Sequence, residues 1–295
     1  MLTTPAPSYS HNYDASLMER LLFRVAKRWV AGYNTDEAID AALDTNSHGM
    51  SAILNFLGED TTDAKLVDMT VNEYLLLMDL MHARKVHGCV SVKPTQLGLT
   101  IDYNMCLQNF SRLAARAREL GQFIWLDMES VKSTEDTIAI YLDLYKQYDM
   151  IGVAVQSYLR RSVSDLLHII ECGGKVRLVK GAYHESEEHV FVTDEEVNAN
   201  YSKLMKMLFE SNNYFAIATH NSDLIEEAIS MNKNTKFEFQ MLKGIRDELK
   251  LELVTKGFAV SEYIPYGNQW LPYSVRRIME RKRNLLLLAR SLLQQ

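Results

Sequence analysis

Eight short apolar runs recur along this chain at intervals that leave room for one helix between each pair. They are residues 52–58 (AILNFLG), 89–93 (CVSVK), 122–127 (QFIWLD), 151–156 (IGVAVQ), 175–180 (KVRLVK), 214–219 (YFAIAT), 236–240 (KFEFQ) and 258–264 (FAVSEYI). Short runs rich in β-branched and aromatic residues read as strands, and helical patterns between them imply parallel strands joined by crossovers. Helix starts are expected at the capping pairs Thr70 with Glu73, Ser162 with Asp165, and Thr193 with Glu196. Gly88, Gly121, Gly173 with Gly174, and Gly257 stand just before strands, where a helix C-cap belongs. Eight strand–helix units predict an α/β fold of the (β/α)8 TIM-barrel type. A doubly wound open sheet shares the local pattern, but no Gly-x-Gly-x-x-Gly follows the first strand.

Such a barrel needs roughly 250 residues. The chain has 295, which leaves an N-terminal extension. Residues 1–45 are expected to form a tail and helical arm, and residues 46–295 the barrel. Pro5, Pro7, Ser8, Ser10 and Asn12 mark the tail. Leu17, Leu21, Val25 and Trp29 recur every four residues and suggest one helix. A second begins at Thr35, with Asp36 and Glu37 in its first turn. The net charge of −6 argues against nucleic acid as the main partner. Cys89, Cys106 and Cys172 are scattered, an odd set that reads as free thiols in a reducing, cytoplasmic setting. No pair of histidines has metal-ligand spacing, so no metal is expected. The N-terminus carries no signal-peptide pattern, and no run approaches the ~20 apolar residues of a membrane span.

In a barrel of this kind function gathers where strands end. The polar residues there are Glu59, Lys93, Asp127, Gln156, the Arg177–Tyr183 segment, Thr219 with His220, Gln240 and Tyr263. Each has a plain structural alternative. Arg177 can pair with an inner carboxylate, and Lys93 with Asp127 can tie neighbouring strands together. Gly181 and Ala182 can make a tight turn or let a flat ring or phosphate approach the backbone. His220 can be a hydrogen-bonding core residue. Past the last strand, Tyr273, Arg276, Arg277 and Glu280 fall at i, i+3, i+4 and i+7, one face of a helix. Two guanidiniums held beside a carboxylate and a phenol make a clamp for a small carboxylate. A solvated basic face, continued by Arg281, Lys282 and Arg283, is the alternative. The apolar stretch after Asn284 is either a helix closing the barrel or a contact with a membrane surface.

Five segments, in this order and at these strand ends, resemble the motifs of proline dehydrogenases. They are LDME (126–129), RLVKGAY (177–183), ATHN (218–221), FEFQML (237–242) and YIPYGNQWLPYSVRRIMER (263–281). The resemblance runs from about Leu57 to Arg281. It implies a (β/α)8 barrel that binds FAD without a Rossmann fold. It implies oxidation of L-proline to Δ1-pyrroline-5-carboxylate by hydride transfer to FAD, with electrons passed to a membrane quinone. With no room for an aldehyde dehydrogenase module, the chain looks like the monofunctional bacterial kind. By motif, Arg276 and Arg277 hold the proline carboxylate and Lys93 contacts substrate. Asp127 and Arg177 are the catalytic polar pair, and Tyr263, Tyr183, Tyr273 and Leu242 wall the pocket. Glu59 partners one of the two arginines and closes the pocket, and Glu280 matches the acid one turn after them. Met128, Gln156, Arg177, Lys180, Gly181, Ala182, Thr219, His220, Asn221 and Gln240 are the expected FAD contacts. Tyr263 implies preference for proline over hydroxyproline, although a hydroxyproline dehydrogenase is an alternative. His184 departs from the Trp of some bifunctional relatives. Two other readings stay open: a Schiff-base aldolase using Lys93 or Lys180, and an inactive amino-acid-binding barrel.

Overall fold

The eight strand–helix units close on themselves. In the computed structural model, which describes residues 23, 26–232 and 235–275, eight parallel strands pair in sequence order and the last pairs with the first. The strands are β1 (Ser51–Phe56), β2 (Gly88–Val92), β3 (Ile124–Leu126), β4 (Ile151–Gln156), β5 (Val176–Val179), β6 (Phe215–Ala218), β7 (Phe237–Leu242) and β8 (Ala259–Tyr266). Each lies on a run expected from sequence. Helix α1 (Thr35–Ser47) precedes β1, and α2 (Ala64–Ala83), α3 (Tyr103–Leu120), α4 (Val131–Tyr145), α5 (Ser162–Glu171), α6 (Asp194–Glu210), α7 (Ser222–Met231) and α8 (Asp247–Thr255) fill the crossovers.

Strand alternation divides the apolar residues into two cores. Outward residues such as Val90, Val92, Ile124, Leu126, Val153, Val176, Leu178, Phe215, Ile217, Phe237 and Phe239 pack under the helices in the large core. A smaller cluster inside the barrel joins Ile53, Cys89, Trp125 and Ala216, with Phe123 and Tyr263 against it. Trp125 fills much of that interior because its partner in register is Gly152. A Cβ on Gly152 would lie 2.4 Å from the indole ring, so any side chain there would displace it.

Three capping expectations fail, at Thr70, Gly88 and the Ser162–Asp165 pair. Thr70 does not start a helix. It lies inside α2, whose N-cap is Asp63, with its side chain accepting from the Lys65 N–H. Gly88 is not a C-cap but the first residue of β2, where a Cβ would meet the Ala52 carbonyl oxygen at 2.3 Å. The left-handed turn before β2 falls instead on Lys85. The Thr193–Glu196 capping box is present, with both reciprocal bonds made. Ser162 is the first residue of α5, with Arg161 as its cap. Gly121, Gly173 and Gly257 all have positive φ, as C-terminal glycines should.

The chain before α1 lies against the end of β8. Ala31 N–H donates to Pro265 O at 2.9 Å, and Gly267 N–H donates to Gly32 O at 2.9 Å. Phe23, Trp29 and Val30 share a buried cluster with Leu57, Trp270 and Tyr273. The helix expected across Leu17 and Val25 lies largely outside the described residues. Among the described residues no helix is long and apolar enough to cross a membrane.

Candidate active site

Asp127 is the hub of the barrel mouth. It follows β3 directly, and its N–H donates to Val92 O at 2.9 Å, which extends the ladder by one residue. Its side chain therefore points inward, one pleat above Trp125. Ser91 donates to Asp127 Oδ1 at 2.6 Å and Tyr263 donates to Oδ2 at 2.8 Å. Arg177 Nη1 lies 2.5 Å from Oδ1, and Lys93 Nζ lies 3.6 Å from Oδ2. Burial alone would oppose ionisation of this carboxyl. The two cations and the two hydroxyl donors outweigh it and hold the group below the ordinary aspartate range. Tyr263 shifts the other way. Burial, with the Asp127 charge beside it, keeps its hydroxyl protonated and donating.

Arg177 is held on every side but one. It is 4 % exposed. Its Nη1 also donates to Ser91 Oγ at 2.7 Å, and its Nε donates to Gln240 Oε1. Gln240 in turn donates to Glu238, which also accepts from Ser261. The guanidinium carbon sits 4.7 Å from the Trp125 ring centre and 5.7 Å from that of Tyr263. Its Nη2, also buried, has no hydrogen-bond partner among the described residues. An unpaired donor on a buried cation is costly in a closed protein, so it marks a place where a ligand acceptor fits.

The other expected residues ring this centre at the strand ends. Gln156 donates to Met128 O at 3.2 Å, while its Oε1 is buried without a partner among the described residues. Gly181 has φ +107, and a Cβ there would lie 2.2 Å from the Tyr158 ring. Packing of that ring, as well as any ligand approach, thus requires glycine. Lys180 and Ala182 flank it after β5, and Tyr183 donates to Glu59 Oε2 at 3.2 Å, joining two mouth loops. Thr219 follows β6 and is buried. His220 Nε2 accepts the Leu242 N–H at 3.0 Å, the hydrogen-bonding role foreseen as its alternative. Asn221 caps α7, accepting from Leu224 N–H at 3.0 Å.

The Lys93–Asp127 and Arg177–Asp127 ion pairs foreseen as structural alternatives both exist. They do not decide against function, because they leave Arg177 Nη2 and Gln156 Oε1 buried and unpaired. Those two atoms suit a planar group whose edge offers both an acceptor and a donor. FAD fits that description. Tyr273 is 7 % exposed and lies on residues 270–275, the helical stretch after β8. Arg276, Arg277 and Glu280 lie outside the described residues.

Sequence reasoning missed Ser91, Trp125, Glu238 and Ser261. Each stands two residues before a strand-end residue it did name: Lys93, Asp127, Gln240 and Tyr263. The period of two along a strand was the available signal.

Comparisons with known proteins cover most of the chain, including every segment that builds this site's described part. The family described as proline dehydrogenase matches residues 38–289. Proline dehydrogenase 2 of Bacillus subtilis (strain 168) is 31% identical over 278 residues, covering 90% of this chain and 92% of that protein. Proline dehydrogenase of Deinococcus radiodurans is 32% identical over 288 residues, covering 94% and 93%. Among solved structures, proline utilization A (PutA) of Bdellovibrio bacteriovorus, inactivated by N-propargylglycine, superposes with a TM-score of 0.84 at 25% identity. That match covers 89% of this chain but 33% of the PutA chain, so this chain spans about a third of its length. A closed barrel, a mouth built on the LDME, RLVKGAY and FEFQML segments, and a family match over most of the sequence lead to one conclusion: the chain belongs to the proline dehydrogenase family.

Proposed function

We propose that this protein oxidises L-proline to Δ1-pyrroline-5-carboxylate with FAD as its cofactor, and that a membrane quinone takes the electrons. The observation that carries the reading is the Asp127–Arg177–Tyr263 cluster with Lys93 beside it, in which Arg177 Nη2 is buried without a hydrogen-bond partner among the described residues. Residues 1–45 act as an arm and residues 46–295 as the catalytic barrel. The protein works in the cytoplasm, with a peripheral contact at the inner face of the membrane.

Arg177, Gln156, Lys180, Gly181, Ala182, Met128, Thr219, His220, Asn221 and Gln240 would hold the flavin. The flavin held there would supply the acceptor for the hydride lost from the carbon next to the proline nitrogen. The remaining roles belong to this chain's side chains. Arg276 and Arg277 grip the carboxylate by bidentate bonds, with Glu59 as the partner of one of them and Glu280 one turn after them. Tyr263, Tyr183, Tyr273 and Leu242 fix the ring plane. Lys93 and Arg177 place positive charge at the mouth, which disfavours the ammonium form of the substrate and keeps the amine lone pair available. Asp127 holds both cations in position while staying ionised.

The test is an absorbance spectrum of the purified protein followed by proline addition. A flavin spectrum that proline bleaches is the expected result. A colourless protein that borohydride traps on substrate would establish the aldolase instead. Proline binding without bleaching would leave an inert barrel.

Tyr263 also sets an expectation for specificity. Its ring is clamped between Asp127 and the face of Arg177, so it has little freedom to yield to a ring hydroxyl. kcat/KM for proline should exceed that for hydroxyproline by about tenfold or more; equal values would end this reading.

A further inference from the structure

Glu129 closes the Leu126–Glu129 segment and has no part in the scheme above. It is 2 % exposed, and a single residue engages both its oxygens. The Thr95 N–H donates to Oε2 at 2.9 Å and the Thr95 hydroxyl donates to Oε1 at 2.6 Å. Thr95 lies two residues beyond Lys93, in the 3-10 turn Pro94–Leu97. It also holds the loop after β1. Its Oγ1 accepts the Asp60 N–H at 2.8 Å, and its carbonyl accepts the Thr61 N–H at 3.2 Å. Asp60 has φ +53, a left-handed conformation that aspartate tolerates better than most residues and that the two Thr95 bonds hold in place. Beside it stands Glu59, bonded to Tyr183.

One carboxylate thus registers the ends of three neighbouring strands. Glu59 is one residue from Asp60, Lys93 two residues from Thr95, and Asp127 two residues from Glu129 itself. We propose that Glu129 is a positioning residue, which acts through Thr95 to set the spacing of Glu59, Lys93 and Asp127 around the substrate. The inference rests on the reading of the mouth as a proline site.

The same geometry makes the clamp depend on protonation. Burial pushes the Glu129 carboxyl up to about 7, against the pull of the Thr95 hydroxyl, Lys93 and the Thr95 N–H, and with a small push from Asp127. Cys106 faces it from α3, and burial together with the Glu129 charge keeps that thiol neutral. Protonation removes the charge that strengthens both Thr95 bonds and takes up one of the two acceptor oxygens. The clamp is therefore complete above about pH 7 and slack below it. The sign for stability is opposite. The folded carboxyl titrates above its unfolded value, so ionising it costs stability as pH rises towards about 7.

The experiment measures KM and kcat for proline with the flavin-loaded protein between about pH 6 and about pH 8, and melting temperature at each pH. KM of the wild type should fall as pH rises through this range. Glu129→Gln should raise KM about tenfold at the upper pH, keep kcat within about threefold, and leave KM with only the pH dependence that the substrate amine itself brings. Its melting temperature at the upper pH should not fall, because the neutral amide escapes the burial cost of the charge. Thr95→Val should raise KM in the same way, and Thr95→Ser should restore it. The inference is overturned if Glu129→Gln keeps the wild-type KM or its pH dependence, or if KM rises only alongside a matching loss of melting temperature. A wild type that proline does not reduce overturns both readings, whereas an active wild type with an indifferent Glu129→Gln overturns this one alone.

Discussion

Arg177→Met should abolish proline-dependent bleaching and destabilise the barrel in the same stroke. The guanidinium binds Asp127, Ser91 and Gln240 from an almost fully buried position. Methionine fills much of the volume but makes none of these bonds. Asp127 keeps Lys93 at 3.6 Å, which alone offsets burial poorly. Its carboxyl should then titrate higher than in the wild type, because one of the two cations that lower it is gone. Breaking a buried ion pair from one side typically costs about 3–5 kcal/mol. The loss in rate should be at least about a hundredfold, the scale found when a preorganised charge-stabilising donor is removed. Arg177→Lys should rescue little, since an ammonium cannot make three fixed in-plane bonds and stack on Trp125. Urea midpoints and single-turnover bleaching measure the two effects separately. A methionine variant with a wild-type midpoint and wild-type bleaching would show that this cluster is neither support nor site.

The second large effect lies on the other side of the barrel wall. Lys250 is 1 % exposed, and its Nζ reaches Glu262, Asp247 Oδ1 at 2.6 Å and Leu242 O at 3.3 Å. Glu262 also accepts from Thr45 at 2.8 Å, so the cluster ties α8, β8 and α1 together. Lys250→Met leaves the Glu262 charge in place with, among the described residues, Lys243 at 3.6 Å as its one remaining cation and the Thr45 hydroxyl as its donor. The expected cost is again about 3–5 kcal/mol. The double variant Lys250→Met/Glu262→Met should recover much of that loss, because a well-packed apolar pair often equals a buried ion pair. Turnover per folded molecule should hardly change, since Glu262 points outward where Tyr263 points in. If the double variant is as unstable as the single, the cluster is not a closed pair and the lysine acts through the Leu242 carbonyl instead.

Much of the fold was legible because it repeats. All eight runs became strands, and even their ends are right to within a few residues. Helix starts were less secure. Thr70 with Glu73 has the spacing of a capping box, yet it sits mid-helix because Asp63 offers a cap seven residues earlier and the apolar face runs on through both. Local spacing is compatible with many positions, and packing selects among them.

The strand-end residues could be named from sequence because a parallel barrel presents them all at one mouth. Their partners could not. Which cation pairs with Asp127 depends on barrel closure, which sets Ser91, Arg177 and Tyr263 around one carboxylate although they are far apart in the chain. The Glu129–Thr95–Asp60 clamp was invisible for the same reason, since nothing local to Glu129 announces a donor 34 residues away. Sequence alone determined the architecture and the list of polar residues facing its open end, because both follow from periods of two and 3.6 that a chain carries locally. Tertiary structure decided which of those residues touch, which are neutralised and which buried donor is left over, because those depend on distances that only closing the barrel creates.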